Sequence, residues 1–129
     1  MVSIALQKGV QVDKLVFFGA MRRLSDAFRA FSQATGLAPE VQERLYQQMK
    51  ASYGEDVWEV TALDKQLPRF AVPTLMFHDR EDEITPYQSS AALAKAWPAA
   101  RLVTTNGLGH RRILRDPQVI QQAVDFVTS

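Results

Sequence analysis

The chain has 129 residues and a mass of 14.5 kDa, the size of one ordinary domain. Apolar residues make up 47% and charged residues 22%, close to the globular average, which argues against a disordered chain. The net charge is +1, so the sequence has no electrostatic footprint for nucleic acid or an anionic membrane. Because there is no cysteine, disulfides, thiolate metal sites and cysteine nucleophiles are excluded from this chain.

The N-terminus gives no sign of a membrane span or a leader. No apolar run approaches the ~20 residues that cross a bilayer, and the apolar stretch at 1–6 is too short for a signal peptide. We therefore expect a cytoplasmic protein. Residues 2–9 are typical of the last two turns of a buried helix that ends at a glycine. Two turns are not stable alone, so the chain is expected to begin inside an element.

Three short apolar runs predict buried parallel strands at 14–19, 72–78 and 101–105. Each is rich in β-forming residues and is bounded by Gly, Pro, Asp or Asn. Their hydrophobicity is continuous rather than alternating, which is typical of strands covered on both faces. The fold class predicted from this pattern is α/β, with about three parallel strands.

Two helices accompany the second and third strands. A Thr-Pro pair at 85–86 and an Asp-Pro pair at 116–117 are both helix start signals. They predict helices over 86–97 and 117–128. A strand, a helix and a second parallel strand form a right-handed crossover unit, which supports the layered α/β class.

The stretch 21–70 has a different character, because it contains three short amphipathic helical patterns and no strand. About fifty residues is far longer than a usual crossover, so we interpret it as an inserted helical cap. We expect three parts of one structural domain, at 1–20, 21–70 and 71–129. Its larger apolar side chains either line a substrate pocket or pack between cap helices; they include Phe28, Phe31, Met49, Trp58 and Phe70.

Polar residues follow two of the predicted strands, in the loops 78–86 and 106–110. Ligands bind at the carboxyl ends of parallel strands in open α/β sheets, so these loops should lie side by side. An acid and a histidine placed there can form a pair in which the carboxylate orients the imidazole base. The candidates are Asp82 and His110, with Asp79 as the rival acid.

Other interpretations of these residues stay open. The acids of the first loop are also compatible with a solvated cluster. Together with His78 and His110, Asp79 and Asp82 are possible metal ligands, although no fixed His spacing accompanies them. Neither a resident metal nor a cofactor is expected.

The remaining polar neighbours have simple explanations as well. Arg111 and Arg112 either bind an anionic substrate group or are solvent-exposed charges. Ser89 and Ser90 are expected on a helix surface rather than as nucleophiles.

The segment Val72–Pro86 resembles the strand and acid loop of the α/β-hydrolase family, which often reads "Pro, apolar run, His-Gly-x-x-Asp-x-x-Val-Pro". Gly107-Leu-Gly-His110 is similar to the Gly-x-Gly-His loop of that family, and the final helix matches too. The resemblance implies that Asp82 and His110 are the second and third members of a catalytic triad. It also implies that 21–70 is the family's helical cap, and that 14–19 is the strand following the nucleophile helix.

One departure from the family is large, because the nucleophile elbow Gly-x-Ser-x-Gly is absent. None of the serines is flanked by glycines at that spacing; they are Ser3, Ser25, Ser32, Ser52, Ser89, Ser90 and Ser129. We therefore interpret the chain as the C-terminal half of an α/β-hydrolase that acts on a small ester-like molecule. Its parent supplies a Ser, Asp or Cys nucleophile, and the half alone is expected to be inactive, so whether this chain is itself an enzyme stays open.

The competing class is a non-enzymatic module for dimerisation or ligand binding. The strand at 14–19 would lie at an open, apolar sheet edge, which natural proteins avoid. We therefore expect a two-fold homodimer formed through the edge Leu15–Phe18 or through the N-terminal helix.

Overall fold

A computed structural model describes residues 2–129 and has one three-stranded parallel sheet at its centre. The strands are β1 (Leu15–Phe18), β2 (Thr74–Asp79) and β3 (Ala100–Thr105), in the spatial order β1-β2-β3. Both strand pairs are parallel. The predicted fold class, a partial α/β-hydrolase fold of three parallel strands with flanking helices, is confirmed.

The central strand β2 explains the continuous apolar run in the sequence, because all six of its residues are buried. Alternate side chains enter different cores. Met76 packs in one hydrophobic cluster with Leu93 and Trp97. Leu75 and Phe77 pack in the cluster on the other side. The two outer strands are mostly half-buried, since each has a strand neighbour on one side only.

Helices cover the sheet and fill its connections. The α-helices of residues 2–129 are α1 (Val2–Gln7), α2 (Leu24–Thr35), α3 (Pro39–Tyr53), α4 (Val57–Val60), α5 (Leu63–Gln66), α6 (Tyr87–Ala96), α7 (Gly109–Arg112) and α8 (Pro117–Thr128). Short 3₁₀ turns follow α5 at Leu67–Arg69 and α7 at Ile113–Arg115. None of the helices in this part of the chain has the length and hydropathy of a membrane span.

The start of α8 agrees with the sequence and the start of α6 does not. The Asp116 carboxylate accepts from the backbone N–H groups of Gln118 and Val119, both at 3.0 Å, so it caps α8 as expected. Pro86 itself stands at the cap position of α6, without a side-chain hydrogen bond, and the helix begins one residue later than predicted. Thr85 therefore has a different role, described below.

The four helices α2 to α5 lie between β1 and β2, and we call residues 21–70 the helical segment. Its inner contacts are aromatic: the rings of Tyr46 and Trp58 stack with centroids 4.4 Å apart, and Phe28 lies 5.8 Å from Trp58. These side chains pack between helices. Phe31 is exposed instead. Whether the segment works as a substrate cap stays a prediction.

Candidate active site

Asp82 and His110 come together at the carboxyl end of the sheet. Asp82 lies in the loop after β2, and His110 lies in α7, just after the loop that follows β3. The distance from Asp82 Oδ2 to His110 Nδ1 is 2.7 Å. The two candidates that the sequence selected therefore form a hydrogen-bonded pair, which we call the Asp82–His110 pair.

The Asp82 carboxylate is buried, with only 1% of its side chain exposed, and its second oxygen is bound by the backbone. Oδ1 accepts from the N–H groups of Ile84 at 2.9 Å and Thr85 at 2.7 Å. Burial by itself raises the pKa of Asp82, but the Thr85 N–H, the His110 ring and the Ile84 N–H outweigh it. The pKa is lowered overall, so the group is a carboxylate at neutral pH.

An ionised carboxylate at Nδ1 fixes the form of the neutral His110 ring. Because a carboxylate only accepts hydrogen bonds, the ring proton lies on Nδ1 and the Nε2 lone pair is free. Within residues 2–129, Nε2 has no hydrogen-bond partner, and 33% of the side chain is exposed. The ring borders an open cavity of about 330 Å³. A free and partly exposed Nε2, with Nδ1 held by a buried carboxylate, is the geometry that a general base requires.

The end of β1 lies directly beneath this pair. A Cβ atom at Gly19 would be 3.2 Å from Asp82 Oδ2 and equally close to His110 Nδ1. Gly19 also has a φ of +57°, a backbone conformation that residues with a side chain rarely adopt. In the part of the chain that the structure describes, β1 pairs only with β2, so its other edge is open beside the pair.

The histidine loop turns as the sequence indicated. Gly107 and Gly109 have φ values of +78° and +64°, a region in which glycine is not strained. The turn brings the loop back over the end of β2. The prediction of a tight glycine turn before His110 is therefore confirmed.

Asp79, the rival acid, does not contact His110. Its Oδ2 accepts from Thr105 Oγ1 at 2.6 Å and from the N–H of Leu108 at 3.0 Å, and its Oδ1 accepts from the N–H of Glu81 at 2.9 Å. Burial raises its pKa, but these donors and the N–H of Gly109 lower it overall to about 2. Asp79 thus ties the start of the acid loop to the histidine loop.

Two further residues lie beside the Asp82–His110 pair, and the sequence analysis gave neither of them a role there. His78 was considered only as a metal ligand, and Ser90 was expected on a helix surface. Both are fully buried, and His78 Nδ1 lies 2.6 Å from Ser90 Oγ. Ser89 is buried as well, so the surface expectation is wrong for both serines. The available signal was the position of His78 at the end of a buried strand, directly before the acid loop.

The metal interpretation finds no support in the described residues. Between residues 2 and 129, no group of three or more His, Asp or Glu side chains has an arrangement that could hold a metal ion.

The two arginines after His110 differ in their contacts. The guanidinium of Arg112 donates to the carbonyl groups of Leu108 and Gly107, so it binds the loop that precedes it. Arg111 is exposed at the cavity that borders His110.

A parallel sheet that brings an acid and a histidine together on adjacent strand ends is the arrangement of the α/β-hydrolases, and the fold places this chain in that class. The family can be stated more narrowly. The family model described as "TAP-like protein" matches residues 38–127, and the chain belongs to this family of α/β-hydrolases.

Curated relatives carry a hydrolase name. The chain is 37% identical over 68 residues to "Putative carbamate hydrolase RutD" of Pseudomonas savastanoi pv. phaseolicola, covering 52% of this chain and 26% of that protein. The protein of the same name from Stutzerimonas stutzeri is 35% identical over 60 residues, covering 46% of this chain and 23% of the relative. The matched stretch thus spans about a quarter of the length of these relatives.

Solved structures show the same fold over nearly the whole chain. The esterase RhEst1 from Rhodococcus sp. ECU1013 matches with a TM-score of 0.65 and 14% identity, over 99% of this chain and 61% of the esterase. The meta-cleavage product hydrolase from Pseudomonas fluorescens IP01 matches with a TM-score of 0.60 and 20% identity, over 95% of this chain and 58% of the hydrolase. The chain therefore spans little more than half of these structures.

Proposed function

We propose that this chain supplies the acid and the base of an α/β-hydrolase catalytic triad, Asp82 and His110, and that it is inactive without a nucleophile from another polypeptide segment. The observation that carries the proposal is the 2.7 Å contact between Asp82 Oδ2 and His110 Nδ1. It leaves His110 Nε2 free to take a proton from a hydroxyl or from water.

The position of the open edge of β1 supports this proposal. A further parallel strand would lie about 4.8 Å from β1. Its carboxyl end would then stand beside Gly19, whose backbone lies against the His110 ring. A nucleophile at the end of such a strand would be within reach of the free Nε2. The open edge and the free base thus point to the same missing neighbour.

We propose a small ester or carbamate as the substrate class. The support is the carbamate hydrolase name of the curated relatives together with the esterases among the structural neighbours. Both reactions are acyl transfers to water, and both need a base at Nε2 together with a nucleophile and oxyanion donors. We further propose a cytoplasmic location, with which the absence of cysteine is compatible; recovery in the soluble fraction of gently lysed cells would agree, and recovery outside the cell would not.

The decisive experiment reads the source DNA upstream of codon 1 and joins the chain to any segment that it encodes in frame. We expect an in-frame Gly-x-Ser-x-Gly there, and we expect the joined protein to hydrolyse a short-chain aryl ester while residues 1–129 alone do not. His110→Ala should lower kcat about 10⁴-fold or more. Asp125→Asn, an exposed acid on α8, is the matched control and should change nothing.

Two outcomes would contradict this function. One is an upstream reading frame that ends before any nucleophile motif. The other is substantial turnover by the chain alone that survives His110→Ala. Either result would remove the Asp82–His110 pair from the proposed catalytic role.

A dimerising module is the second candidate, and the edge of β1 favours it. Leu15 and Gly19 donate their N–H groups to the carbonyls of Pro73 and Phe77, so the N–H groups of Val16 and Phe18 point to the open side. A second copy can pair there about a two-fold axis. The N-terminal helix is a poorer surface, since α1 already buries Leu6 within the chain.

The oligomeric state tests this candidate directly. Val16→Pro removes one outward N–H without disturbing the bonds to β2, so it should convert a dimer to a monomer. Val16→Thr keeps the N–H and the β-branched shape, so it should leave the dimer intact. A folded monomer at high micromolar concentration in sedimentation velocity would contradict the homodimer.

A further inference from the structure

A second imidazole lies against the Asp82 carboxylate. His78, at the end of β2, is fully buried, and its Nε2 atom is 3.2 Å from Asp82 Oδ2. The same nitrogen is 2.9 Å from the carbonyl oxygen of Thr85. Both neighbours accept hydrogen bonds, so the neutral His78 ring carries its proton on Nε2.

The other nitrogen of the His78 ring is held from α6. Nδ1 is 2.6 Å from Ser90 Oγ and, with the proton on Nε2, it accepts from that hydroxyl. Ser90 Oγ also lies 3.3 Å from the carbonyl oxygen of Ala20, where the chain leaves β1. Both side chains are inaccessible to solvent. The ring is therefore fixed in one orientation from two sides.

This orientation determines how Asp82 faces His110. Thr85 donates its N–H to Asp82 Oδ1 and accepts from His78 at its carbonyl, so His78 fixes the residue that holds the carboxylate. We propose that His78 is a positioning residue, which keeps Asp82 in the rotamer whose Oδ2 receives the Nδ1–H of His110. The proposal rests on the proposed function of the Asp82–His110 pair.

A positioning role differs from a purely stabilising one in what it does to His110. A free neutral imidazole exchanges between two tautomers, and the Asp82 carboxylate selects the one with the proton on Nδ1. If Asp82 loses its orientation, this selection weakens even in a folded protein. A buried network that only adds stability would change the unfolding midpoint and leave the His110 tautomer unchanged.

Nitrogen-15 NMR of the imidazole rings measures this tautomer directly. The chain has two histidines, so every His78 variant shows His110 alone. His78→Asn places an amide near the Nδ1 position and cannot reach Asp82, and it should give a mixture of both tautomers. His78→Gln can place an amide N–H at the Nε2 position, and it should restore the Nδ1–H form. Leu6→Ala is the control, because it destabilises a hydrophobic cluster without removing any hydrogen bond of the His78 network.

The outcomes separate the two proposals. A wild-type His110 with its proton on Nε2 would contradict the Asp82–His110 pair itself, whatever His78 does. A wild-type Nδ1–H form that persists in His78→Asn would overturn only the positioning role. So would identical tautomer mixing in His78→Asn, His78→Gln and Leu6→Ala.

Two further measurements strengthen the test. If His78→Asn does not fold, Ser90→Ala replaces it: tautomer mixing there supports the proposal, and a wild-type spectrum overturns it. In the protein joined to its nucleophile segment, His78→Asn should lower kcat about ten- to a hundredfold with KM unchanged, and His78→Gln should recover most of the loss. A change in KM alone would contradict a positioning role.

Discussion

Asp79 offers the sharpest test of how this site is built, because its carboxylate is buried and is contacted by hydrogen-bond donors without a charged partner. The hydroxyl of Thr105 and the N–H groups of Glu81 and Leu108 all point at its carboxylate. Its pKa falls from an ordinary value of 3.8 to about 2, although burial alone would raise it. A difference of about 1.8 between the unfolded and folded pKa corresponds to about 2.5 kcal/mol of stability at neutral pH.

Asp79→Asn removes this charge with little change of shape. The new amide also brings a donor to a place where three donors already converge. We expect the free energy of unfolding to fall by about 2–4 kcal/mol at neutral pH. The folded pKa is below the unfolded one, so the contribution of Asp79 is complete above about pH 5 and is lost as pH falls from about 4 to about 2. The difference between wild type and variant should therefore shrink over that window.

Urea unfolding followed by circular dichroism across this pH range measures the difference. Other carboxylates titrate in the same range, but they are common to both proteins and cancel. Asp125→Asn, at an exposed position, should stay within about 0.5 kcal/mol of wild type. Equal stabilities of wild type and Asp79→Asn at neutral pH would refute the reasoning, and so would a difference that is independent of pH.

Three further substitutions test other contacts. Gly19→Ala should destabilise the fold by about 1–2 kcal/mol by urea unfolding and disturb the His110 ring signals, because its Cβ meets Asp82 and His110 at 3.2 Å and the backbone φ is positive; unchanged ring signals would contradict the close approach. Asp116→Ala should cost about 1 kcal/mol, since it leaves two N–H groups of α8 without a cap; no change would contradict the cap. Trp97→Phe should cost about 2 kcal/mol, because it removes the hydrogen bond from the indole N–H to the Phe70 carbonyl and leaves a gap where the fully buried ring was; a wild-type midpoint would contradict that bond.

The sequence was sufficient for the sheet and for the two paired residues. Parallel strands buried on both faces show as continuous apolar runs, and the carboxyl ends of neighbouring strands meet. The contact between Asp82 and His110 follows from these two facts and from the glycine turn before His110. The preference for Asp82 over the rival Asp79 came from the family resemblance, and the structure agrees with it, because the Asp79 carboxylate binds Thr105 and Leu108 instead of the histidine.

What the sequence did not reveal was the network that holds the acid. Ser90 is polar and lies on a helix, so its pattern favours a surface position, yet a buried histidine gives it a partner inside. The start of α6 was misplaced for a related reason. Both backbone groups of Thr85 are used by side chains, its N–H by Asp82 and its carbonyl by His78, so Thr85 holds the acid loop and the helix begins after Pro86.

His78 and Asp79, the last two residues of β2, each hold a different loop of the site. Side chains alternate across a strand, so His78 and Asp79 point to opposite sides. His78 binds the acid loop at the Thr85 carbonyl, and Asp79 binds the histidine loop at the Leu108 N–H. Every one of these contacts lies within residues 2–129. The contacts that orient the Asp82–His110 pair are thus all supplied by the described residues. Under the proposed function, a nucleophile segment would therefore meet a base that is already aligned.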